Sequence, residues 1–370
     1  MPDDRLGLRA LNRATLDRQL LLRRHEMPPL AAVEHLVGMQ AQAPNAPYVG
    51  LWSRLAGFTP EVLAALLTDR QVVRAPLMRS TLHLVTADDA CELRAVVQPV
   101  CERHHRTVSP FGRMLDGADL AEIVAAGRAL LAERPRTRAE LGPLLAERWP
   151  ARDRDALAYT VTYLAALVQV TPRGVWGTTG PAAWTTTEAW LGRGVATDAT
   201  PDRTVMRYLA AFGPASVMDV QQWSGLTRLR EVLDRLRPGL RSFHGDDGRE
   251  LFDLPDAPRP DPDTPAPPRF LPEYDNVQFS HADRRRVLPE GRRPPLYGGN
   301  GGVLGTVLVD GWVAGTWRLD IAEERVTVTV EPAEPLPAGE RDAVADEARR
   351  LAAFSTPGSP SVEVRIRPSR

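Results

Sequence analysis

Three times along this chain, short helices with clear start and stop signals are followed by two extended stretches. That repetition restricts the fold more than any other feature. The third occurrence is the clearest. Residues 204–212 repeat at helical spacing and break at Gly213-Pro214. Ser216 and Asp219 stand three apart, the spacing of a capping box, and open a second helix that ends at Gly225. Thr227 is placed to cap a third helix, which Pro238-Gly239 closes. Residues 240–243 and 250–254, joined through Gly245-Asp246-Asp247-Gly248, then read as a wing.

The first occurrence has a helix over 7–24, a second after Pro28 and Pro29, a short one over 48–55 and another after Thr59-Pro60-Glu61. Residues 72–85 alternate as a hairpin. The second has helices over 119–133, from the Thr137/Glu140 capping box to Trp149, and over 153–167, with a wing turn at Pro172-Arg173-Gly174 flanked by 168–170 and Val175-Trp176. Helices closed by a hairpin form a winged helix, so the reading is α+β with three tandem winged-helix modules, 1–115, 116–200 and 201–254. Seven prolines make 255–268 a stiff linker. Residues 269–370 read as a β-rich, barrel-like domain, with a turn at Asp310-Gly311 and a helix over 341–354.

Within the first module, Leu30, Val33, Leu36 and Val37 mark the buried side of a helix that Pro44 should end near Gln42. Gln40 and Gln42 lie at this stop. Residues two apart diverge on a helix and share a side in extended chain, so the two amides converge only where the helix unwinds. Converging amides can hold a water or a substrate edge; the plainer alternative is a helix cap with a satisfied core glutamine.

Composition narrows the chemistry. The chain contains no lysine, and all 46 basic residues are arginine, which removes lysine Schiff-base mechanisms. Two cysteines, Cys91 and Cys101, argue for a reducing compartment, and no apolar run approaches a membrane span or a secretory signal. Cys91, Cys101, His104 and His105 lack metal-site spacing, and Gly298–Gly302 precedes a strand rather than a helix, against a phosphate loop. Neither a metal nor a cofactor is expected.

A net charge of −1 confines nucleic-acid contacts to local patches. One is Arg103, His104, His105 and Arg106, another Arg284, Arg285 and Arg286, and a third Arg74, Arg79 and His83 on the first wing. Arg228, Arg230, Arg235 and Arg237 mix with Glu231 and Asp234, which reads as a solvated helix face. The run 270–284 is placed to return to the first module and offers Asn276 and His281 as further DNA contacts, and Trp317 and Arg318 on the next hairpin offer an aromatic or basic finger toward DNA.

Four stretches, HLVGMQAQAPNAPYVGLWSRL, VVRAPLMRSTLHLVTADD, FLPEYDNVQFSHADRRRVL and VLVDGWVAGTWRL, resemble the bacterial winged-helix alkylpurine DNA glycosylases, the AlkZ/YcaQ-like family. Gln40-Ala41-Gln42 is similar to the Gln-x-Gln catalytic motif of the AlkZ branch rather than the Gln-x-Asp of the other. The resemblance implies a C-shaped body that holds double-stranded DNA bearing alkylated purines in its concave face. It implies hydrolysis of the N-glycosidic bond of N7-alkylpurines, including bulky adducts or interstrand crosslinks, by a monomeric cytoplasmic protein of the bacterial nucleoid. Without lysine the expected activity is monofunctional, Pro2 being the one candidate amine after loss of Met1. The competing expectations are a non-enzymatic winged-helix regulator or damage binder, and a protein-interaction scaffold.

Overall fold

The computed structural model describes residues 4–290, 296–297, 302–322, 325–358 and 361–368. Pro2 and Gly298 to Gly301 of the glycine run lie outside the described residues. The chain opens with β1 (Arg5–Leu6), α1 (Leu8–Arg18) and α2 (Pro29–His35). After β2 (Met39–Gln40) come α3 (Ala46–Arg54) and α4 (Pro60–Thr68), then the hairpin of β3 (Val72–Pro76) and β4 (Leu82–Thr86). The 21-residue α5 (Ala87–Thr107) follows, a helix that the repeat pattern does not anticipate. Its start signal is nevertheless present: Thr86 caps Asp89 N, with Asp88 and Asp89 in the first turn.

The second segment comprises α6 (Pro110–Met114), α7 (Leu120–Glu133), β5 (Arg136–Thr137), α8 (Arg138–Arg148), α9 (Arg154–Leu164), β6 (Leu167–Gln169), β7 (Ala183–Thr186) and α10 (Thr187–Leu191). Thr137 with Glu140 forms the reciprocal box that their spacing predicts, and Asp119 and Asp153 cap the two neighbouring helices. The returning strand is Ala183–Thr186, not Val175-Trp176. The latter pair sits in a turn fixed by Tyr48, whose hydroxyl donates to Gly174 O and accepts from Trp176 N.

The third segment is α11 (Asp202–Phe212), α12 (Val217–Ser224), α13 (Leu229–Leu236), β8 (Arg241–Gly245) and β9 (Glu250–Asp253). Ser216 and Asp219 cap α12 reciprocally, and Gly225 ends it in the left-handed region. Thr227 does not cap α13, which starts from Arg228 at φ 61° without a side-chain cap.

The C-terminal part contains β10 (Arg269–Leu271), α14 (Asn276–Phe279), β11 (Gly305–Val309), β12 (Trp312–Ala322), β13 (Arg325–Pro332), α15 (Ala338–Ser355) and β14 (Val362–Ile366). Its sheet runs β10-β11-β12-β13-β14, with only β13 and β14 parallel. Since β10 and β14 stand at opposite edges, the sheet is open where a barrel was expected. Asp310 and Gly311 make its turn at φ 46° and 80°. α15 supplies Val344, Ala348 and Leu351 to a core shared with Val326, Val328 and Val330, and Phe354 continues it to Trp52 and Phe58 of the first segment. The C-terminal sheet and the first segment thus bury apolar surface together.

Two features join the segments further. A six-stranded sheet runs β2-β4-β3-β6-β7-β5, with Arg74 opposite Gln169, so the first and second hairpins form one sheet. The proline-rich stretch is no free spacer. Arg9, Arg13 and Arg18 donate to the carbonyls of Pro262, Thr264 and Pro258 and strap it along α1.

Candidate active site

The helix bearing the glutamine motif stops at His35, not near Gln42. Val37 N donates to Glu34 O at 3.0 Å and Gly38 N to Val33 O at 2.9 Å, the paired bonds of a Schellman stop. The left-handed position that usually takes glycine here holds Val37, at φ 53°, which hides the stop in the sequence. A β-branched residue there costs roughly 1–3 kcal/mol. Gly38 follows at φ 86°, and a Cβ on it would lie 2.5 Å from the Val85 side chain and 3.0 Å from Leu84 O. The chain then runs extended, with Met39 opposite Leu84 and Gln40 opposite His83. Met39 and Ala41 enter the core, so the alternate positions 40 and 42 face away from it. The unwinding that two converging amides require is present, reached by a short strand.

Three backbone groups around the motif, Gly38 O, Gln40 N and Ala41 O, have side-chain partners. Asn276 donates its amide to Gly38 O at 2.8 Å and accepts from Gln40 N at 3.4 Å. Arg74 donates to Ala41 O at 2.7 Å and also to Gln169 Oε1. Arg79, at φ 53°, donates to Gln40 Oε1 at 2.8 Å and to Trp223 O. Burial pulls the guanidinium pKa of Arg74 and of Arg79 down to about 10. His83 is buried, bonded through Nδ1 to Thr81 O, and held neutral with a pKa near 3, chiefly by burial and also by Arg79. Arg74, Arg79 and Asn276 therefore hold the motif in place and His83 is buried on the strand paired with it, where DNA contacts were expected.

The two glutamines do not line one cavity. Gln40 is buried at a closed recess beside Pro272, Asp275 and Asn276, and its Oε1 accepts from Arg79. Gln42 is exposed and borders a cleft of about 370 Å³ lined by Arg74, Arg138, Arg173, Gln169, Tyr159, Tyr163 and Trp184, among others. Among the described residues, no carboxylate lines this cleft. A larger cavity of about 620 Å³ lies against the C-terminal sheet, around Trp312 and Leu336, and contains neither glutamine.

The run 270–284 does return to the first segment. Asp275 forms a buried two-pronged ion pair with Arg54, at 2.9 Å on each arm. His281 is buried between Ser280 Oγ and Phe212 O, and burial holds its pKa near 3. Arg286 is buried against Pro214 O and Thr15, and Trp317 donates to Leu271 O from within the core. His281, Arg286 and Trp317 thus join segments instead of facing solvent. Arg284 sits over Phe279, Arg285 pairs with Asp283, and the exposed Arg318 pairs with Glu331. Arg103 donates to Gly225 O and so shares with Arg79 the C-terminal end of α12. His104 stacks on Tyr163, and Arg106 remains exposed. Arg230, Arg235 and Arg237 pair with Glu250, Asp202 and Asp234, as a solvated face would. Sequence reasoning missed Arg54, Arg138, Gln169 and Arg173. Nothing in local spacing marks them, because their partners lie on other elements.

A family described as DNA glycosylase AlkZ-like matches residues 33–354. Among solved structures, the chain is similar to the DNA glycosylase AlkZ of Streptomyces sahachiroi, at 21% identity and a TM-score of 0.75, over 98% of this chain and 100% of that one. No curated relative matches. Among the described residues no helix is long and apolar enough to cross a membrane.

Proposed function

Because the chain belongs to the AlkZ-like DNA glycosylase family, we propose that it hydrolyses the N-glycosidic bond of N7-alkylated purines in double-stranded DNA, including bulky adducts and interstrand crosslinks. The observation that carries this reading is the exposed Gln42 at the rim of a cleft with three arginines and no carboxylate, in a chain of net charge −1. Such a field attracts a polyanion locally without a basic surface elsewhere.

The chemistry asks little of a base. An N7-alkylpurine is already cationic, so its glycosidic bond is weak and the base leaves without further protonation. What remains is to place a water against C1′ as the sugar takes on positive charge. Gln42 offers an acceptor and two donors that are free for this water. For Gln40 to act on the same water its carboxamide must turn from its own recess toward the Gln42 cleft; its Oε1 accepts from Arg79, and its NH2 group has no protein acceptor among the described residues. Arg79, Asn276 and Arg74 fix the strand that carries both. The product is an abasic site and a free base, without strand cleavage. Self-resistance to a DNA-alkylating natural product fits that substrate class. The action is that of a monomer.

Release of N7-methylguanine and of mustard or azinomycin-type adducts, read as alkali-labile abasic sites, tests the reading. Pure protein that releases none of them, yet shifts undamaged duplex tightly and sequence-selectively, is a regulator instead.

A further inference from the structure

We propose that the cleft beside Gln42 is a phosphodiester subsite in which Arg138 and Arg173 grip a backbone phosphate next to the nucleotide under attack. The inference rests on the glycosylase reading and extends it to residues that the glutamine motif does not include.

The walls argue for an anion. Arg138 opens α8, donates Nε–H to Thr162 Oγ1 at 3.0 Å and has no carboxylate partner among the described residues. Arg173 donates to Gly180 O at 2.9 Å and likewise lacks an acid. Arg74 lies beneath, buried, and near enough for the charge of Arg173 to lower its pKa. Elsewhere arginines are mostly matched to acids, down to fully buried pairs such as Arg18 with Asp253. Gathering cations without a counter-charge is unfavourable unless a ligand brings one. A phosphate has the oxygens to answer such a set.

The same walls argue against a base. Tyr159 has Arg138 over its ring at 4.0 Å and Phe111 stacked at 4.0 Å and 10°. His104 stacks on Tyr163 at 5.3 Å, and Arg138 lies 5.5 Å over Trp184. With Tyr159 held between Arg138 and Phe111, the aromatic side chains orient Arg138 and that ring is not free to stack a nucleobase.

The test is a cycle between protein and DNA. Duplexes carrying a tetrahydrofuran abasic analogue receive one neutral methylphosphonate at each flanking position in turn, and binding is followed by anisotropy. One position should weaken the natural protein about tenfold, the scale of a single charged hydrogen bond. Arg173→Gln should weaken binding by a similar factor and show no further loss at that position. Arg138→Gln should behave alike, and Arg349→Gln, which removes a remote exposed charge, should leave binding unchanged. Losses that multiply independently at every position overturn the subsite. Excision of N7-methylguanine, assayed in parallel, keeps the two readings apart. Excision with an additive cycle removes only the subsite, binding without excision removes only the proposed reaction, and no DNA binding removes both.

Discussion

Arg79 Nη2 donates to Gln40 Oε1 across 2.8 Å, while its other terminal nitrogen holds Trp223 O at the end of α12. One guanidinium therefore ties the motif strand to the third segment. The two glutamines consequently stand in different mechanical situations, and their variants should separate.

Gln42→Ala removes an exposed amide and should leave stability within about 0.5 kcal/mol of the parent while cutting excision by about 10²-fold. Gln40→Ala should cut the rate similarly and also destabilise by about 1–3 kcal/mol, because it leaves Arg79 without its acceptor. Urea unfolding beside single-turnover excision checks both. Equal stability losses would contradict the asymmetry, and full activity in the double variant would remove the assigned roles.

Arg79→Ala should lower the excision rate although Arg79 is not proposed to touch the substrate, since Gln40 would lose its anchor. The single-turnover rate should fall while the affinity for undamaged duplex changes less than threefold. A purely electrostatic Arg79 would show the reverse, with weaker binding and an intact rate.

Arg54 and Asp275 are both buried, at 0% and 1% side-chain exposure, and their pairing seats Asn276 against the motif. Asp275→Ala should cost about 3–5 kcal/mol, the scale of stranding a buried charge. A thermal midpoint within one degree of the parent would show that the pair is not a keystone.

Acid should destabilise the fold earlier than carboxylate titration requires. His83 and His281 are held neutral with pKa values near 3, against an ordinary value of 6.5, so the unfolded chain takes up protons first. Stability is complete above about pH 6.5 and declines as pH falls toward 3, by about 1.4 kcal/mol per pH unit for each histidine. His83→Asn should flatten part of that slope. A urea midpoint constant between pH 7 and 5 would refute the account.

With no lysine available, borohydride should trap no covalent protein–DNA adduct during excision, and strand breaks should appear only after alkali. An adduct that maps to the N-terminal peptide would instead implicate Pro2.

Local punctuation made most helices legible: Thr137 and Ser216 form in the structure the capping boxes that their spacing implies, and the helices read from Asp119 and Asp153 begin there. What stayed hidden depends on contacts between distant residues. The stop after His35 is set by Val37 in a conformation that its type disfavours, so the sequence points to Pro44 instead. Arg74, His83 and Arg286 look like surface cations until Ala41 O, Thr81 O and Pro214 O are brought beside them. Residue type reports a charge, and only the fold reports whether water reaches it. The open C-terminal sheet was equally hidden, because alternation reveals strands and not which edges meet.

The pairing of β3 with β6 sets the gauge of the cleft. Arg74 and Gln169 face each other across that junction and both line the cavity, so its two walls share one backbone ladder. Widening the gap would break that ladder. A backbone phosphate seated there meets a cavity of fixed width, and the work of fitting falls on the duplex that carries it, through bending and groove deformation. Damage that softens the helix would then enter more readily than intact DNA, a selectivity that requires no contact with the altered base.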